Sequence, residues 1–537
     1  MEYSIDPPKF LSIMMVLRLT YLTLAQILVS AISLIGGTAS YNSPTPSCKA
    51  LARHARDFPV TAPSPPSIHG VWVSDQCEIR PGPEFLLRKY RFKRGKFQLH
   101  QYYYSGPDCS VPLYSVKAQG TIKLLRPSWI VPGAMEAKYR LHNVSIIPFQ
   151  ERIAKEFRRK VREQCPEVKS HPWKPYHSYQ IMNFPPYKKF RLYKHRNVDY
   201  DCTHVFNLTF HELQLLRVEI RRQSGSVDKN KISTYPSRYS KSFEEVDLLL
   251  GDIHTDRKQR HTYRPSSYQT ALRNSKTKTC QICNGIANSN DYYPPKIDRQ
   301  KPSKFRLHGD WVSTGCETRQ YGQFLTRKLS FLSDGKSWQG QYDFFEDPIC
   351  RKGSFSLSVK GTYTGDKVSK IIPGSKEYNF RLIRLKVTPK NKQMVNTLRL
   401  YDGHCGVRNA WKINEQQDVT STGGCDVLGI ILPNVEFEIL RMVVSEHQTL
   451  LYVGQWTMNS HPIRSKQSRP TSFQQPLVRC SDSVAKHASN KIEVFLSDDK
   501  QFPVFAKFEA ASKTNGVLRV EASFLAIFIV VVNVIVS

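Results

Sequence analysis

The sequence has few acidic residues and no long apolar run. Only 45 of its 537 residues are Asp or Glu, against 78 Lys and Arg, so the formal net charge at pH 7 is +33. Its two apolar runs, about Leu19 to Leu34 and Ser523 to Ser537, are shorter than the roughly 20 residues of a membrane-spanning helix. This composition excludes a polytopic membrane protein, a collagen and a coiled coil.

Recognisable catalytic motifs are also missing. The sequence has no G-x-S-x-G elbow, no H-E-x-x-H pair, no phosphate-binding glycine loop and no calcium-loop pattern. Asp252, His254 and Asp256 alternate like ligands on one strand face, but we interpret them as a polar surface strand rather than a metal site. We predict a protein that is not an enzyme and needs no cofactor. An extracellular enzyme with an unrecognised site is the alternative.

The two ends of the chain indicate the secretory route. Small residues follow the first apolar run up to Ser40, which predicts a signal peptide over 1–40, with an N-terminal membrane anchor as the alternative. A polar stalk, 483–522, precedes the apolar tail 523–537, and small residues upstream of the tail are typical of a lipid-anchor (GPI) signal. The alternatives to a lipid anchor are that the tail forms a short transmembrane helix or that the protein is released. We expect the protein to be located at the plasma membrane, on its extracellular side.

The 12 cysteines, an even number, favour disulfides and an oxidising compartment. A secreted protein does not meet nuclear DNA, so the basic surplus indicates heparan sulfate, anionic lipid or acidic proteins rather than nucleic acid. Solvated edges that protect against aggregation are the alternative interpretation. The basic clusters are Arg88–Lys96, Arg158–Arg162, Lys188–Arg196 and Arg299–Arg306.

An internal repeat organises the chain. Residues 68–78 (IHGVWVSDQCE) recur as 307–317 (LHGDWVSTGCE), and further segments recur in the same order. We therefore predict two copies of one domain, 41–281 and 282–482. The further matches are Phe85–Phe92 with Phe324–Phe331, Tyr103–Cys109 with Phe344–Cys350, Val131–Glu136 with Ile372–Glu377, and Arg264–Gln269 with Arg469–Gln474.

Each copy carries six cysteines in corresponding order. Six cysteines allow many pairings, and we expect each repeat to be closed by its own first and last cysteine. The predicted pairs are Cys77–Cys109, Cys165–Cys202, Cys48–Cys280, Cys316–Cys350, Cys405–Cys425 and Cys283–Cys480.

Alternation with a period of two predicts half-buried strands in both copies. We expect each copy to be a strongly bent antiparallel sheet or barrel of about 8–10 strands with minor α content, so the fold class is mainly β. Segments 150–165 and 390–402 are predicted as helices, and 205–210 as a strand. The predicted inward side chains are Leu86, Arg88, Tyr90, Phe92, Phe97, Leu99 and Tyr103, with Leu325, Arg327, Leu329, Phe331, Trp338, Tyr342 and Phe344 in the second copy.

Two details refine this pattern. The inward phase switches after Leu141 and again after Leu382, where Ile383 is expected to turn inward, and this predicts a β-bulge in each copy. Arg88 and Arg327 on apolar faces require carboxylate partners, for which Glu136 and Glu377 are candidates, unless they meet the polar end of a ligand. The glycosylation sequons place Asn143 and Asn207 on outward positions.

The motif H-G-x-W-V-S-x-x-C-E-x-R resembles the adenomatosis polyposis coli down-regulated 1 family, as do 211–219, 251–256, 264–269 and 416–420. The resemblance runs from about Cys48 to Cys480. It implies a membrane-anchored, glycosylated inhibitor of Wnt signalling with two β-barrel-like domains. Wnt, its lipoprotein-receptor-related co-receptor and bone morphogenetic proteins are the implied partners.

The resemblance also implies an apolar pocket for the Wnt acyl chain, and the sequence does not show which copy holds it; our candidate residues are in the first copy. Antagonism through protein surfaces alone is the alternative. The short uncharged tail departs from the spanning helix and basic flank of the family, and the basic insert 221–241 is not explained by it. The predicted lipid-binding residues are Trp72, Tyr90, Phe92, Phe97, Tyr103 and Tyr139.

Overall fold

The computed structural model shows a mainly antiparallel β protein with short helices. The predicted signal peptide, stalk and tail lie outside the described residues, as do the cluster Lys188–Arg196 and most of the insert 221–241 and of Arg299–Arg306. The structure describes residues 47–57, 60–168, 172–184, 199–223, 243–277, 280–297, 305–400, 403–432, 434–444, 448–455 and 469–481.

The first repeat forms one sheet. Its strands are β1 (Val60–Thr61), β2 (Gly70–Val73), β3 (Glu78–Arg80), β4 (Glu84–Lys93), β5 (Lys96–Tyr104), β6 (Pro112–Pro127), β7 (Met135–Pro148), β8 (Tyr179–Asn183), β9 (Tyr200–Asp201), β10 (Leu215–Gln223), β11 (Phe243–Leu250) and β12 (Leu272–Asn274). Strands β2, β4, β5, β6, β7, β10, β11 and β12 pair in this order, and β12 pairs with β2. The ring is therefore a closed antiparallel barrel of 8 strands.

The second repeat forms an equivalent sheet. Its strands are β13 (Gly309–Ser313), β14 (Glu317–Arg319), β15 (Gln323–Phe331), β16 (Ser337–Phe345), β17 (Gly353–Val368), β18 (Ser375–Pro389), β19 (Gln417–Asp418), β20 (Gly424–Cys425), β21 (Ile430–Ile431), β22 (Asn434–Val444), β23 (Thr449–Val453) and β24 (Leu477–Cys480). Eight of these strands pair in a ring and close into a barrel like that of the first repeat, in the order β13, β15, β16, β17, β18, β22, β23 and β24. The predicted fold class, a tandem of two antiparallel barrels, is confirmed.

The predicted inward faces form the two barrel cores. In the first barrel Leu86, Tyr90 and Phe92 of β4 are buried in one cluster with Phe97 and others of β5. The equivalent side chains of β15 and β16 are buried in the core of the second barrel. An interior lined by alternate residues of every strand is the packing expected for eight strands.

Both predicted β-bulges are present. The pairing of β6 with β7 skips His142, and the pairing of β17 with β18 skips Ile383. The expectation that Ile383 turns inward was wrong, because Ile383 is itself the extra residue and is 53% exposed. The switch of phase that the sequence indicates therefore comes from one unpaired residue in each long hairpin.

Helices cover parts of each barrel. The α-helices of the described residues are α1 (Cys48–Asp57), α2 (Glu151–Gln164), α3 (Gln281–Asn288) and α4 (Lys392–Leu400). The helices predicted over 150–165 and 390–402 are confirmed by α2 and α4. The strand predicted over 205–210 was wrong, because Thr203–Phe206 forms a 3₁₀ turn that ends at Asn207 with φ 50°. None of the helices in the described part of the chain is long and apolar enough to cross a bilayer.

The first barrel also has an outer apolar layer. Ile286 of α3 packs with Phe85 and Leu87 of β4 and with Tyr102 and Tyr104 of β5, all of which point away from the interior. Ile372 and Ile439 of the second repeat belong to the same cluster. Both faces of β4 and β5 are therefore buried where α3 covers them. For this reason, buried and exposed side chains do not alternate clearly along these two strands.

Four of the predicted disulfides are confirmed: Cys77–Cys109, Cys165–Cys202, Cys316–Cys350 and Cys405–Cys425. The other two pairings were wrong. Cys48 pairs with Cys480 of the second repeat, and Cys280 pairs with Cys283.

The physical reason for the correction lies in where α1 docks. Cys48 and Leu51 of α1 pack against Val312 of β13, beside Cys480 of the adjacent strand β24. Cys48 therefore lies next to Cys480 of the second repeat and bonds it. Cys280 bonds Cys283, in the first turn of α3. The Cys48–Cys480 bond spans a sequence separation of 432 residues and ties one repeat to the other.

Candidate functional site

The structure brings all six predicted lipid-binding residues together inside the first barrel. Trp72, Tyr90, Phe92, Phe97 and Tyr103 are at most 7% exposed and share one core cluster. Tyr139 is half-buried and packs against this cluster, with its ring edge-on to Phe97 at a centroid distance of 6.5 Å. The interior is aromatic and is enclosed by the ring of strands.

A polar network crosses this aromatic interior. The Tyr90 hydroxyl donates to Glu212 Oε1 at 2.8 Å, and Gln101 Nε2 donates to the same oxygen at 2.9 Å. The Tyr103 hydroxyl donates to Gln101 Oε1 at 2.9 Å. Burial raises the pKa of Tyr90 and Tyr103, so both phenols stay protonated donors at neutral pH. One end of the interior is therefore hydrophilic.

Sequence reasoning missed Glu212 and Gln101. Glu212 is fully buried, and its Oε2 makes no hydrogen bond to any residue that the structure describes. Glu212 lies in a 3₁₀ turn just before β10, so alternation along a strand could not assign it to the interior.

The inward arginines are held by carboxylates other than the predicted ones. Arg88 binds Glu78 through Nε at 2.9 Å and Nη2 at 2.8 Å, and both side chains are buried. Arg327 binds Glu317 in the same way, with Nε at 3.0 Å. Antiparallel pairing of β3 with β4 sets Glu78 opposite Leu86, so Arg88 is its diagonal neighbour on the same face.

The candidates Glu136 and Glu377 were therefore wrong as partners for these arginines. Glu136 pairs with Arg126 at 3.1 Å, and Glu377 pairs with Arg469 at 3.3 Å. The Cys-Glu step of the repeat motif supplies the buried carboxylate instead. Arg88 and Arg327 therefore form structural ion pairs.

The segment with Asp252, His254 and Asp256 is a loop rather than the predicted surface strand. The Asp252 carboxylate accepts hydrogen bonds from Ser266 N at 2.9 Å and from the Tyr263 hydroxyl at 2.8 Å. Asp252 and His254 are both buried, so the interpretation as a polar surface was wrong. Within the described ranges, the one His, Cys and acid group with metal-like spacing contains Cys165 and Cys202, which are bonded to each other.

The two sequon asparagines lie apart. Asn143 is half-buried on the outward face of β7, opposite Gln119 of β6, and accepts a hydrogen bond from Ser145 Oγ at 3.1 Å. Asn207 is exposed at the end of its 3₁₀ turn. Glycosylation of both remains a prediction.

A second candidate site lies where the two barrels meet. A cavity of about 950 Å³ is lined by both repeats, and none of the six predicted lipid-binding residues lines it. Its size is within the range of small-molecule sites. Its apolar lining includes Leu249, Ile253 and Tyr268 of the first repeat and Val312, Leu450 and Phe473 of the second.

Equivalent contacts flank this cavity on both sides. Gly82 N, after β3, donates to Thr471 Oγ1 at 2.8 Å, and Gly322 N, after β14, donates to Ser266 O at 3.3 Å. Thr471 and Ser266 are matched positions of the repeat. A Cβ at Gly322 would lie 2.3 Å from the backbone oxygen of Ile130, so only glycine allows this approach. The repeats therefore meet through the same surfaces, as in a two-fold dimer.

Buried charges make the cavity wall polar as well as apolar. Burial raises the pKa of Asp247 and of Asp252 to about 6, although Arg273 Nη1 lies 2.8 Å from Asp247. Burial also lowers the pKa of Arg319 to about 10, and Arg319 pairs with Glu317 at 2.6 Å. The wall can therefore accommodate a ligand with both apolar and polar groups.

Comparison with known families identifies the family of this chain. The family model described as "Adenomatosis polyposis coli down-regulated 1" matches residues 47–298 and 296–506. The two matched regions contain the first and the second barrel respectively, and together they cover most of the chain. The match therefore covers the internal repeat seen in both the sequence and the fold.

Proposed function

Because the chain belongs to the adenomatosis polyposis coli down-regulated 1 family, we propose that it is an extracellular negative regulator of Wnt signalling. The family match over both barrels is the observation that carries this proposal. Six disulfides are consistent with an extracellular protein. We further propose that its C-terminal tail anchors it at the cell surface.

The proposed mechanism is sequestration of the Wnt acyl chain, with binding to the lipoprotein-receptor-related co-receptor as a further contact. An eight-stranded barrel can hold one small ligand in place of packed side chains. The six enclosed aromatic residues of the first barrel would contact the methylenes, and the Glu212 network would mark the polar end. Each buried methylene contributes about 0.8 kcal/mol, so burial of an acyl chain suffices for tight binding.

The test compares two peptides and three pairs of substitutions. Cells that display the full chain are titrated with a palmitoleoylated Wnt peptide and with the same peptide without its lipid. We expect only the acylated peptide to bind. Phe92→Ala with Phe97→Ala should weaken it, whereas Phe331→Ala with Trp338→Ala, the equivalent pair in the second barrel, should not. Tyr268→Ala with Phe473→Ala tests the cavity between the barrels.

The outcomes separate the sites. Loss of binding only in the Tyr268 and Phe473 variant would move the acyl site to the shared cavity. Equal binding of both peptides would reject a lipid pocket. The dense packing of the six residues favours a second candidate function, antagonism through protein surfaces on Wnt, its co-receptor or bone morphogenetic proteins. Equal binding of the peptides is the result expected from that function.

A further inference from the structure

One end of the first barrel carries a continuous set of cations on its outer surface. They are the outward side chains of β4 to β7 and of the turn between β4 and β5, and all are exposed. We call this set the cationic face. It consists of Arg91, Lys93, Arg94, Lys96, Lys123, Lys138 and Arg140.

Strand register makes these cations neighbours. Lys93 lies opposite Lys96, and Lys123 lies opposite Lys138. Thr121 of β6 lies between Lys96 of β5 and Arg140 of β7 and pairs with both. Adjacent strands are about 4.8 Å apart, so the row crosses four strands in about 14 Å. Like charges directly opposite each other destabilise a sheet, so this arrangement is costly for the fold.

Nothing in the described part of the chain neutralises this face. Its seven members make no ion pair with any residue that the structure describes, and the adjacent Glu136 is taken by Arg126. The basic cluster on α2 differs, because Lys160 pairs with Glu156 at 2.9 Å and Arg159 with Glu163 at 3.2 Å. The predicted cluster Arg88–Lys96 is itself divided, since Arg88 is buried against Glu78 and four of its other cations belong to the face.

The second barrel shows that the fold does not need these charges. Its strands have the same register, with Thr362 opposite Arg381 as Thr121 is opposite Arg140. The strand register gives six of the seven positions an equivalent, and only one of these is cationic: they are Ser330, Leu332, Ser337, Thr364, Asn379 and Arg381. The turn in place of Arg94 is two residues longer and holds Lys336.

We propose that the cationic face binds a linear sulfated polysaccharide. A row of unpaired cations across four strands matches a chain of regularly spaced sulfates. The row is flanked by Gln98 and Gln119, which face each other and can hydrogen-bond to sugar hydroxyls and sulfates. Disulfide formation places the protein where such glycans occur. The proposal is independent of Wnt binding, because it needs neither the barrel interior nor the cavity.

The test measures binding of the full chain to heparin at physiological ionic strength. The variant Lys96→Ser, Lys123→Thr, Lys138→Asn introduces residues that the second barrel carries at the same places, so the fold should be kept. Loss of three surface charge contacts should weaken binding by about tenfold. The control variant Lys352→Ser, Lys370→Thr, Lys390→Asn removes three exposed lysines from the second repeat and should change affinity by about twofold or less.

Four results would overturn the proposal. Equal weakening in both variants would mean that net charge alone drives binding. Full affinity in the first variant, with an unchanged thermal midpoint, would place binding on other cations of the chain. Equal binding of fully desulfated heparin would reject recognition of sulfate. Leu125 and Trp129 are exposed apolar side chains beside the face. Binding to vesicles of phosphatidylserine and phosphatidylcholine is therefore measured as well. Binding to vesicles but not heparin would indicate a lipid surface instead.

Discussion

The two barrels share a frame, meaning the same strand arrangement and the same contacts that close it. They differ in the side chains of their interior and of their outer surface. In both, the repeated Trp donates its indole N–H to a backbone oxygen four residues earlier, at 2.8 Å from Trp72 to Ile68 and 2.9 Å from Trp311 to Leu307. In both, a serine and an arginine bind the buried glutamate of the Cys-Glu step. The residues that build the closed ring are therefore duplicated together with the strands.

The interior acids show the difference. Glu212 and Glu436 are equivalent, since each lies three residues before the residue that pairs with the matched position Glu136 or Glu377, Leu215 in one barrel and Ile439 in the other. Glu212 accepts hydrogen bonds from Tyr90 and Gln101, but the second barrel has Leu329 and Tyr342 at those positions. Burial, and then the charge of Glu438, raises the pKa of Glu436 well above its usual value. The same strand arrangement therefore holds an acid that accepts hydrogen bonds from Tyr90 and Gln101 in one barrel and an acid with a raised pKa in the other.

The largest expected effect tests the shared frame. Arg88→Met leaves the buried Glu78 without an ion pair and should lower the free energy of unfolding by about 3–5 kcal/mol. Arg327→Met should cost less, because Glu317 keeps its ion pair with Arg319. Denaturant unfolding of the purified variants measures this loss. Arg384→Met is the control, since Arg384 and Asp418 form an exposed pair worth at most about 1 kcal/mol. A loss for Arg327→Met as large as that for Arg88→Met would contradict compensation by Arg319.

The next effect tests whether the repeats are tied into one unit. Replacement of both Cys48 and Cys480 by Ser should cost about 4 kcal/mol, because this bond closes a very long loop. The same replacement of Cys280 and Cys283 should cost about 2 kcal/mol, because the loop is short. Thermal unfolding of the two variants measures the difference. Equal losses, or peptide mapping that finds Cys48 joined to Cys280, would contradict the pairing.

The smallest effect distinguishes the two interior acids. A raised folded-state pKa means that the native state holds a proton which the unfolded state releases, so Glu436 lowers stability as pH rises above about 4.5. Glu436→Gln should remove this pH dependence and raise the free energy of unfolding at pH 7. Glu212→Gln should instead destabilise, because it disturbs the hydrogen bonds that Tyr90 and Gln101 donate to this side chain. Unfolding curves at pH 5 and pH 7 test both. A stabilising Glu212→Gln would show that the barrels hold their acids alike.

Periodicity predicted most of the frame because it follows from local geometry. The inward positions of β4 and β5, the helices α2 and α4 and the bulges all depend on side chains that alternate or repeat along one segment. Glu78 was missed as the partner of Arg88 because a diagonal contact depends on the register between strands. Ile383 was misplaced because the pattern shows that a phase changes but not which residue is extra.

Repetition, alternation and the cysteine count are local features of the chain, and they predict a duplicated, disulfide-linked antiparallel β protein of this family. The tertiary structure adds the Cys48–Cys480 bond, the position of Glu212 in the aromatic interior and the cavity between the two repeats. These features join residues far apart in the chain. Their energies depend on burial and distance in space, which no local pattern encodes.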